Sequence, residues 1–140
     1  MSTKAVATAY FDALTRRDVD AMVACWRPGG REFIRGQIDT TAPDGVRAFF
    51  SELFAAVPDF DLRVEDMIVQ KDRVAVRWRA TGTFCGERAF KGFEPNGARL
   101  ELEGLDLLQI SDDLIDANDA FSDSMAFARQ IGRASCRERV

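Results

Sequence analysis

A change in the spacing of apolar residues near position 60 most strongly constrains how this chain folds. Before it, apolar residues recur every three or four positions, most clearly over residues 46–57, and this is the spacing of one helical face. After it, apolar and polar residues alternate, as in Val74, Val76 and Trp78, which is the spacing of a strand with one buried face. Helices followed by consecutive strands predict an α+β domain with an antiparallel sheet.

The elements predicted along the chain follow from this spacing and from local stop signals. Helices are expected over residues 3–16, from a cap at Asp18 to the stop at residues 27–30, and from Pro43 to Val57. Strands are expected over residues 32–38, 62–69, 74–81, 99–110 and 114–121, and a closing helix after a cap at Ser122. A strongly curved sheet that folds over the helices would enclose a cone-shaped cavity.

The chain has no histidine, and this excludes Ser-His-Asp and Cys-His nucleophiles and histidine metal sites. Its three cysteines lack a zinc spacing, so we expect no metal site. A net charge of −4 disfavours nucleic-acid binding. The N-terminus lacks the apolar run of a signal peptide, and no stretch reaches the roughly 20 apolar residues of a membrane span. We therefore expect a cytoplasmic protein that binds no membrane.

The last ten residues differ from the rest of the chain. Residues 131–140 have no apolar periodicity and carry three Arg and one Glu. They resemble the translation of a sequencing adapter, although frayed basic termini also occur in genuine proteins. We expect one domain over residues 1–130 and a non-native tail over 131–140.

Several segments, in this order and spacing, carry a resemblance to a known family. They are residues 10–11, 26–29, 42–50, 54–60, 72–83, 94–98 and 118–123. From about residue 5 to 130 the chain resembles the nuclear transport factor 2-like superfamily, and within it the SnoaL-like polyketide cyclase or ester cyclase branch. The resemblance implies N-terminal helices packed on a strongly curved antiparallel sheet, in a cone-shaped fold with one pocket.

The same resemblance implies a range of activities. Well-studied members close polyketide rings by intramolecular aldol condensation, using an acidic residue and no cofactor. Relatives on this fold isomerise, hydrolyse or dehydrate other small molecules, or only bind ligands or protein partners. Many members carry a histidine where this chain has Phe84 or Ala117, so a histidine-assisted mechanism is excluded here.

Three aspartates are candidate catalytic residues. Asp119, predicted to point inward together with Ile115, Ala117 and Phe121, is the preferred base. Asp123 is second, because it matches the family's acidic residue before the closing helix, although it could instead cap that helix. Asp106 interrupts the apolar face of the strand over residues 99–110, and it is either a proton donor or base with a raised pKa or half of an ion pair with Arg77 or Arg79.

Aromatic and polar residues at pocket positions are candidates for substrate binding, although aromatic residues at such spacing are usually core. They are Tyr10, Trp26, Phe33, Gln37, Phe50, Phe54, Trp78, Phe93 and Asn118. Arg77 and Arg79 are expected on the outer sheet surface rather than in the pocket. Leu105 and Leu107 interrupt a polar outer face, which predicts a homodimer through the sheet.

The sequence thus favours an enzyme that acts on an apolar, carbonyl-containing small molecule by carboxyl acid/base chemistry. The alternative is a ligand-binding protein of the same fold with structural aspartates. An inward aspartate with a raised pKa beside an open, mostly apolar cavity would favour the enzyme. A cavity filled by Phe side chains would favour the binding protein.

Overall fold

The computed structural model describes residues 2–138, with side chains described as far as Gly132. Four helices and six strands lie in this range. They are α1 (Thr3–Thr15), α2 (Val19–Ala24), β1 (Trp26–Ile34), β2 (Ile38–Thr41), α3 (Asp44–Ala56), β3 (Asp61–Gln70), β4 (Arg73–Phe84), β5 (Ala98–Ser111), β6 (Leu114–Ser122) and α4 (Ser124–Glu138).

The helices form where the apolar periodicity predicts them. The Ser2 side chain caps α1 by accepting a hydrogen bond from the Ala5 N–H, and the Asp18 side chain caps α2 in the same way. Such caps satisfy backbone N–H groups that have no partner within the helix. The apolar face of α3 is buried through Val46, Phe50 and Leu53.

The segment after α2 departs from the prediction. Residues 27–30 do not end a helix but belong to β1, and the predicted strand over 32–38 is the end of β1, a turn at residues 35–37 and the start of β2. Strand pairing explains the difference, because Gly29 donates to the Ala42 carbonyl and Ala42 donates to the Gly30 carbonyl. These bonds to a distant segment override the local breaker signal.

One six-stranded sheet has the order β2-β1-β6-β5-β4-β3. The predicted hairpins β3–β4, β4–β5 and β5–β6 are antiparallel, but β1 and β6 are parallel. The predicted α+β fold is confirmed, and its sheet is mixed because one parallel pairing stands among four antiparallel ones. The parallel pairing joins the N-terminal hairpin to the C-terminal strand, and local sequence patterns carry no signal for it.

A β-bulge in β6 determines which residues of that strand face inward. Gln109 is paired with Ala117, whereas the next residue, Ile110, is paired with Ile115, so β6 contains one extra residue at Asp116. Beyond the bulge the alternation is reversed from the prediction. Asn118 and Ala120 are buried, and Asp119 and Phe121 lie on the outer face.

Helices and the inner sheet face enclose the core. Helix α1 packs on β3, β4, β5 and β6, and α4 packs on β5. Ile131, in α4, is buried and its carbonyl accepts a hydrogen bond from the Asn96 side chain. The origin of the remaining tail stays a prediction, and the side chains of residues 133–140 lie outside the described residues. None of the described helices is long and apolar enough to cross a membrane.

Candidate functional site

A cavity of about 80 Å³ lies between the inner sheet face and the helices. This volume is several times the roughly 10–15 Å³ that one buried water requires. The walls are mostly apolar, and they come from α1, α3, α4, five of the strands and the loops between them. The lining residues are Leu14, Glu32, Ile34, Gln37, Phe49, Phe50, Leu53, Phe60, Leu62, Trp78, Phe90, Leu102, Asp106, Asn118, Ala120, Ser122 and Phe127.

Asp106 reaches this cavity from the middle of β5. Its side chain is 6% exposed. Oδ1 accepts a hydrogen bond from Trp78 Nε1 at 2.9 Å, and Oδ2 accepts one from Asn118 Nδ2 at 2.9 Å. The ion pair with Arg77 or Arg79 does not form, because both arginines are exposed on the outer face, where Arg79 lies near Glu65 and Glu103.

Gly104 allows Trp78 to reach Asp106. The two residues are paired across β4 and β5, and Asp106 is the next residue of β5 on the same face. A Cβ at position 104 would lie 2.4 Å from a carbon of the Trp78 indole, closer than van der Waals contact permits. The indole therefore occupies the space above Gly104 and directs its N–H toward the carboxylate.

A second carboxyl group, Glu32 on β1, lines the same cavity and is absent from the predicted site. Its side chain is 0% exposed. Oε1 accepts a hydrogen bond at 2.9 Å from the same Asn118 Nδ2 that donates to Asp106. The single amide of Asn118 therefore bridges the two carboxyl groups. Among the residues that the structure describes, no arginine or lysine lines the cavity.

Burial without a cation raises the pKa of both carboxyl groups. Burial raises the pKa of Glu32 well above its usual range, the Asp106 charge raises it further, and the hydrogen bond from Asn118 acts in the opposite direction. The pKa of Asp106 is also raised by burial, and the hydrogen bonds from Trp78 and Asn118 oppose this shift.

The predicted binding residues divide into three groups. Gln37, Phe50, Trp78 and Asn118 line the cavity. Tyr10 and Trp26 are buried core residues outside its lining, and Phe54 packs on Phe50 and Phe60 behind the wall.

The remaining two predicted binding residues face away from the cavity or lie beside it. Phe33 lies on the outer sheet face between the guanidinium groups of Arg31 and Arg35. Phe93 is 36% exposed and pairs with Phe90 in the loop between β4 and β5. Its neighbour Phe90, rather than Phe93 itself, lines the cavity.

The prediction that Asp119 points inward is wrong, because the bulge at Asp116 reverses the alternation of β6. Its carboxylate lies on the outer face and accepts hydrogen bonds from Arg35 Nε and Nη2 at 2.8 and 2.9 Å. These bonds lower the pKa of Asp119. Asp123 is exposed and caps α4 by accepting a bond from the Ala126 N–H, which is the structural alternative considered for it.

Glu32 was not predicted as a site residue, because a charged residue beside Arg31 normally lies on a solvated surface. A weak signal is nevertheless present, since Gly30, Glu32 and Ile34 share one face of β1, and arginines occupy the opposite face at positions 31 and 35. Strand alternation from Ile34 alone would have placed Glu32 inward. The Asn118 amide that donates to the buried Glu32 carboxyl lies 86 positions away in the sequence, so no local pattern predicts this pairing.

A comparison with protein families finds a match over residues 4–131 to the family described as SnoaL-like polyketide cyclase. The match spans nearly all of the described chain. A comparison with curated proteins finds no match.

Solved structures share the fold at low sequence identity. A candidate SnoaL-like polyketide cyclase from Jannaschia sp. CCS1 is 24% identical with a TM-score of 0.82, over 92% of this chain and 90% of that one. AclR, a candidate hydroxylase from Streptomyces galilaeus, is 24% identical with a TM-score of 0.80, over 94% and 81%. TsrD from Streptomyces laurentii is 22% identical with a TM-score of 0.78, over 92% and 93%. The TM-scores establish a common fold, and the low sequence identities leave the reaction open.

Proposed function

Because this chain belongs to the SnoaL-like polyketide cyclase family, we propose that it is an enzyme that uses two buried carboxyl groups for acid/base chemistry on a small apolar carbonyl compound. The observation that carries the proposal is the pair Glu32 and Asp106, bridged by Asn118 at the wall of an apolar cavity. Pairs of carboxyl groups whose surroundings separate their pKa values commonly divide the roles of acid and base.

The hydrogen bonds assign the two roles. Asp106 accepts bonds from Trp78 and Asn118, and these bonds favour its ionised form, so Asp106 is the base. Its negative charge then holds the proton on Glu32, so Glu32 is the acid. The absence of a lining cation supports this division, because a nearby arginine would ionise both groups.

The proposed reaction begins with removal of a proton from the carbon next to the substrate carbonyl by Asp106. Glu32 donates its proton to the carbonyl oxygen, so the product of this step is a neutral enol. In ring closure, the enol carbon attacks a second carbonyl of the same substrate while the enol O–H returns its proton to Glu32, and the oxygen of the attacked carbonyl takes the proton held by Asp106 to become a hydroxyl. In isomerisation, a conjugated carbon of the enol takes the proton from Asp106 and the enol O–H returns its proton to Glu32, so both routes restore the starting protonation of the two groups. The aromatic walls formed by Phe50, Phe60 and Phe90 exclude water and hold an apolar ring.

Exchange of carbon-bound protons tests this proposal without knowledge of the natural substrate. With 2-indanone in D₂O, ¹H NMR should show that the protein accelerates loss of the protons next to the carbonyl. Asp106→Asn should lower that rate about 10²- to 10⁴-fold, the usual contribution of a positioned base. Asp119→Asn is the matched control, because it makes the same change on the outer face. A wild-type rate equal to buffer, or an undiminished rate in Asp106→Asn, refutes the proposal.

The same experiment distinguishes the alternative function. A ligand-binding protein would bind 2-indanone, which calorimetry detects, without accelerating proton exchange. The cavity is not filled by its Phe side chains, since about 80 Å³ stays open, and this favours the enzyme. Binding without exchange would support the alternative.

We also propose a homodimer through the outer sheet face. Leu105 and Phe121 are paired across β5 and β6, and each is 41% exposed. Leu107 and Ile68 extend this apolar patch along the same face. Light scattering after gel filtration should give twice the monomer mass for the wild type and the monomer mass for Leu105→Glu. Met125→Glu is the control, because Met125 is 66% exposed but lies on α4; a monomeric wild type contradicts the proposal.

A further inference from the structure

Three buried polar atoms belong to side chains that interact with one another, since Glu32 and Tyr10 each act on the pKa of the other and Trp26 packs on Tyr10. They are the Tyr10 hydroxyl, Trp26 Nε1 and Glu32 Oε2, and none has a hydrogen-bond partner among the described residues. Tyr10 is 0% exposed. Its ring meets that of Trp26 edge to face, with centroids 6.2 Å apart. Buried polar groups are rarely left unpaired in folded proteins, so their clustering calls for a physical account.

The donors and acceptors of these three groups match one another. An indole N–H only donates, a hydroxyl both donates and accepts, and a carboxyl oxygen accepts. Trp26 Nε1–H can donate to the Tyr10 oxygen, and the Tyr10 O–H can donate to Glu32 Oε2. All three atoms are buried, so a chain of hydrogen bonds among them would satisfy groups that the described residues otherwise leave unpaired.

The electrostatics of the site place the three groups next to each other. Burial, followed by the charges of Glu32 and Asp106, raises the pKa of Tyr10 well above its usual range, so Tyr10 stays protonated as a donor. Among the described residues, the ionisable groups that face Glu32 are Asp106 from β5 and Tyr10 from α1. The charge of Cys25, the residue directly after α2, also raises the pKa of Tyr10.

We propose that Tyr10 is a positioning residue for Glu32, which it orients by donating a hydrogen bond to Oε2, with Trp26 donating in turn to the Tyr10 oxygen. The proposal rests on the proposed function for the role of Glu32 as the acid. It assigns Tyr10 and Trp26 a place behind the acid instead of the direct substrate contact expected from the sequence.

This arrangement has a definite consequence for Glu32. A hydrogen bond to a carboxylate favours its ionised form, so Tyr10 limits how far burial raises the pKa of Glu32. Asn118 does the same from the other oxygen. Glu32 is thereby held in one orientation between two donors.

The titration of Glu32 tests the proposal directly. Carboxyl-labelled glutamate allows the Glu32 resonance to be followed by ¹³C NMR, with Glu32→Gln to assign it. Tyr10→Phe removes only the hydroxyl and should raise the midpoint by about 0.4 to 1 pH unit, the shift that corresponds to one ordinary hydrogen bond. Trp26→Phe should raise the midpoint less, and the double variant should match Tyr10→Phe, because Trp26 acts through Tyr10.

Phe11→Leu is the control for a merely structural effect. Phe11 is 2% exposed and packs edge to face on Tyr10 at 5.3 Å, so this variant loses packing but no polar atom. It should lower the melting temperature and leave the Glu32 midpoint in place. An unchanged midpoint in Tyr10→Phe, or an equal shift in Phe11→Leu, overturns the proposal. Failure of proton exchange with an intact shift would refute the proposed function and leave this positioning role standing.

Discussion

Acidic side chains on the two faces of the sheet have pKa values that are shifted in opposite directions. On the outer face, Asp119 accepts two hydrogen bonds from Arg35, and its pKa is lowered. On the inner face, Asp106 and Glu32 have an amide between them and no cation from the described part of the chain, and their pKa values are raised. Asp119 and Asn118 are adjacent in the chain, so one residue of strand register separates an ordinary ion pair from a candidate acid/base site.

The energetics of the two sites explain why we assign a function to the inner carboxyl pair, Glu32 and Asp106, and none to the outer ion pair of Arg35 and Asp119. An exposed ion pair contributes little to stability because water and salt screen it. A buried carboxyl pair without a cation costs stability, since its charged forms are poorly solvated. A protein that retains such a pair beside a cavity keeps groups whose protonation responds to a ligand.

The largest effect is expected when the bridge between the inner carboxyl groups is removed. Asn118→Leu preserves the side-chain volume but deprives Glu32 Oε1 and Asp106 Oδ2 of their shared donor. The free energy of unfolding should fall by about 3 kcal/mol, as expected when bonds to buried, ionisable groups are lost. Urea denaturation at neutral pH measures the change.

The control for this change is Gln109→Leu, which removes an outer-face amide bonded to Asp72. Its cost should stay within about 0.5 kcal/mol, typical of surface substitutions. Equal losses in the two variants would show that the inner bridge has no special energetic role.

The next effect is a dependence of stability on pH. Glu32 binds its proton more tightly in the folded than in the unfolded chain, whose glutamates titrate near about 4.3. Above that pH the unfolded chain releases the proton first, so stability falls as pH rises, by up to about 1.4 kcal/mol per pH unit, until the folded pKa is passed. Urea denaturation at a series of pH values should show this decline in the wild type and a flatter profile in Glu32→Gln.

Asp119 should show the opposite sign. Because its folded pKa is lowered, its stabilising contribution is present above about pH 3.9, the unfolded value, and is lost as pH falls through the folded pKa. Asp119→Asn should therefore alter the profile only in the acidic range. A decline above pH 4 that persists in Glu32→Gln would assign it to other groups.

The smallest effect concerns the outer pair itself. A double-mutant cycle with Arg35→Gln and Asp119→Asn should give a coupling of about 0.2 to 1 kcal/mol, the range of exposed ion pairs. The coupling should decrease as salt is added. A coupling of several kcal/mol, insensitive to salt, would erase the proposed contrast between the two faces.

Much of the architecture was predictable because its causes are local. The apolar spacing of α1 and α3, the caps at Ser2 and Asp18 and the alternation of β5 are all properties of short segments. Asp106 was placed inward for the same reason, since it lies between Leu102 and Leu108 in an uninterrupted alternation. Its partners were not predictable, because Trp78 and Asn118 belong to other strands.

The failures share a different cause, which is pairing between distant segments. The bulge at Asp116 exists only in the register of β6 against β5, so the strand's own alternation predicted the wrong face for Asp119. Residues 27–30 joined β1 because Ala42, directly after β2, exchanges backbone hydrogen bonds with Gly29 and Gly30. Both errors arise where a neighbouring strand changes what the local sequence favours.

By itself, the sequence determined the class of fold, the lack of histidine chemistry and the inward direction of Asp106, because periodicity and composition do not depend on distant partners. Only the tertiary structure decided that Glu32 lines the cavity together with Asp106 and that Asp119 lies on the outer face of the sheet. The physical reason is that burial of a charge depends on the donor that meets it, and here that donor, Asn118, reaches Glu32 through the parallel pairing of β1 with β6.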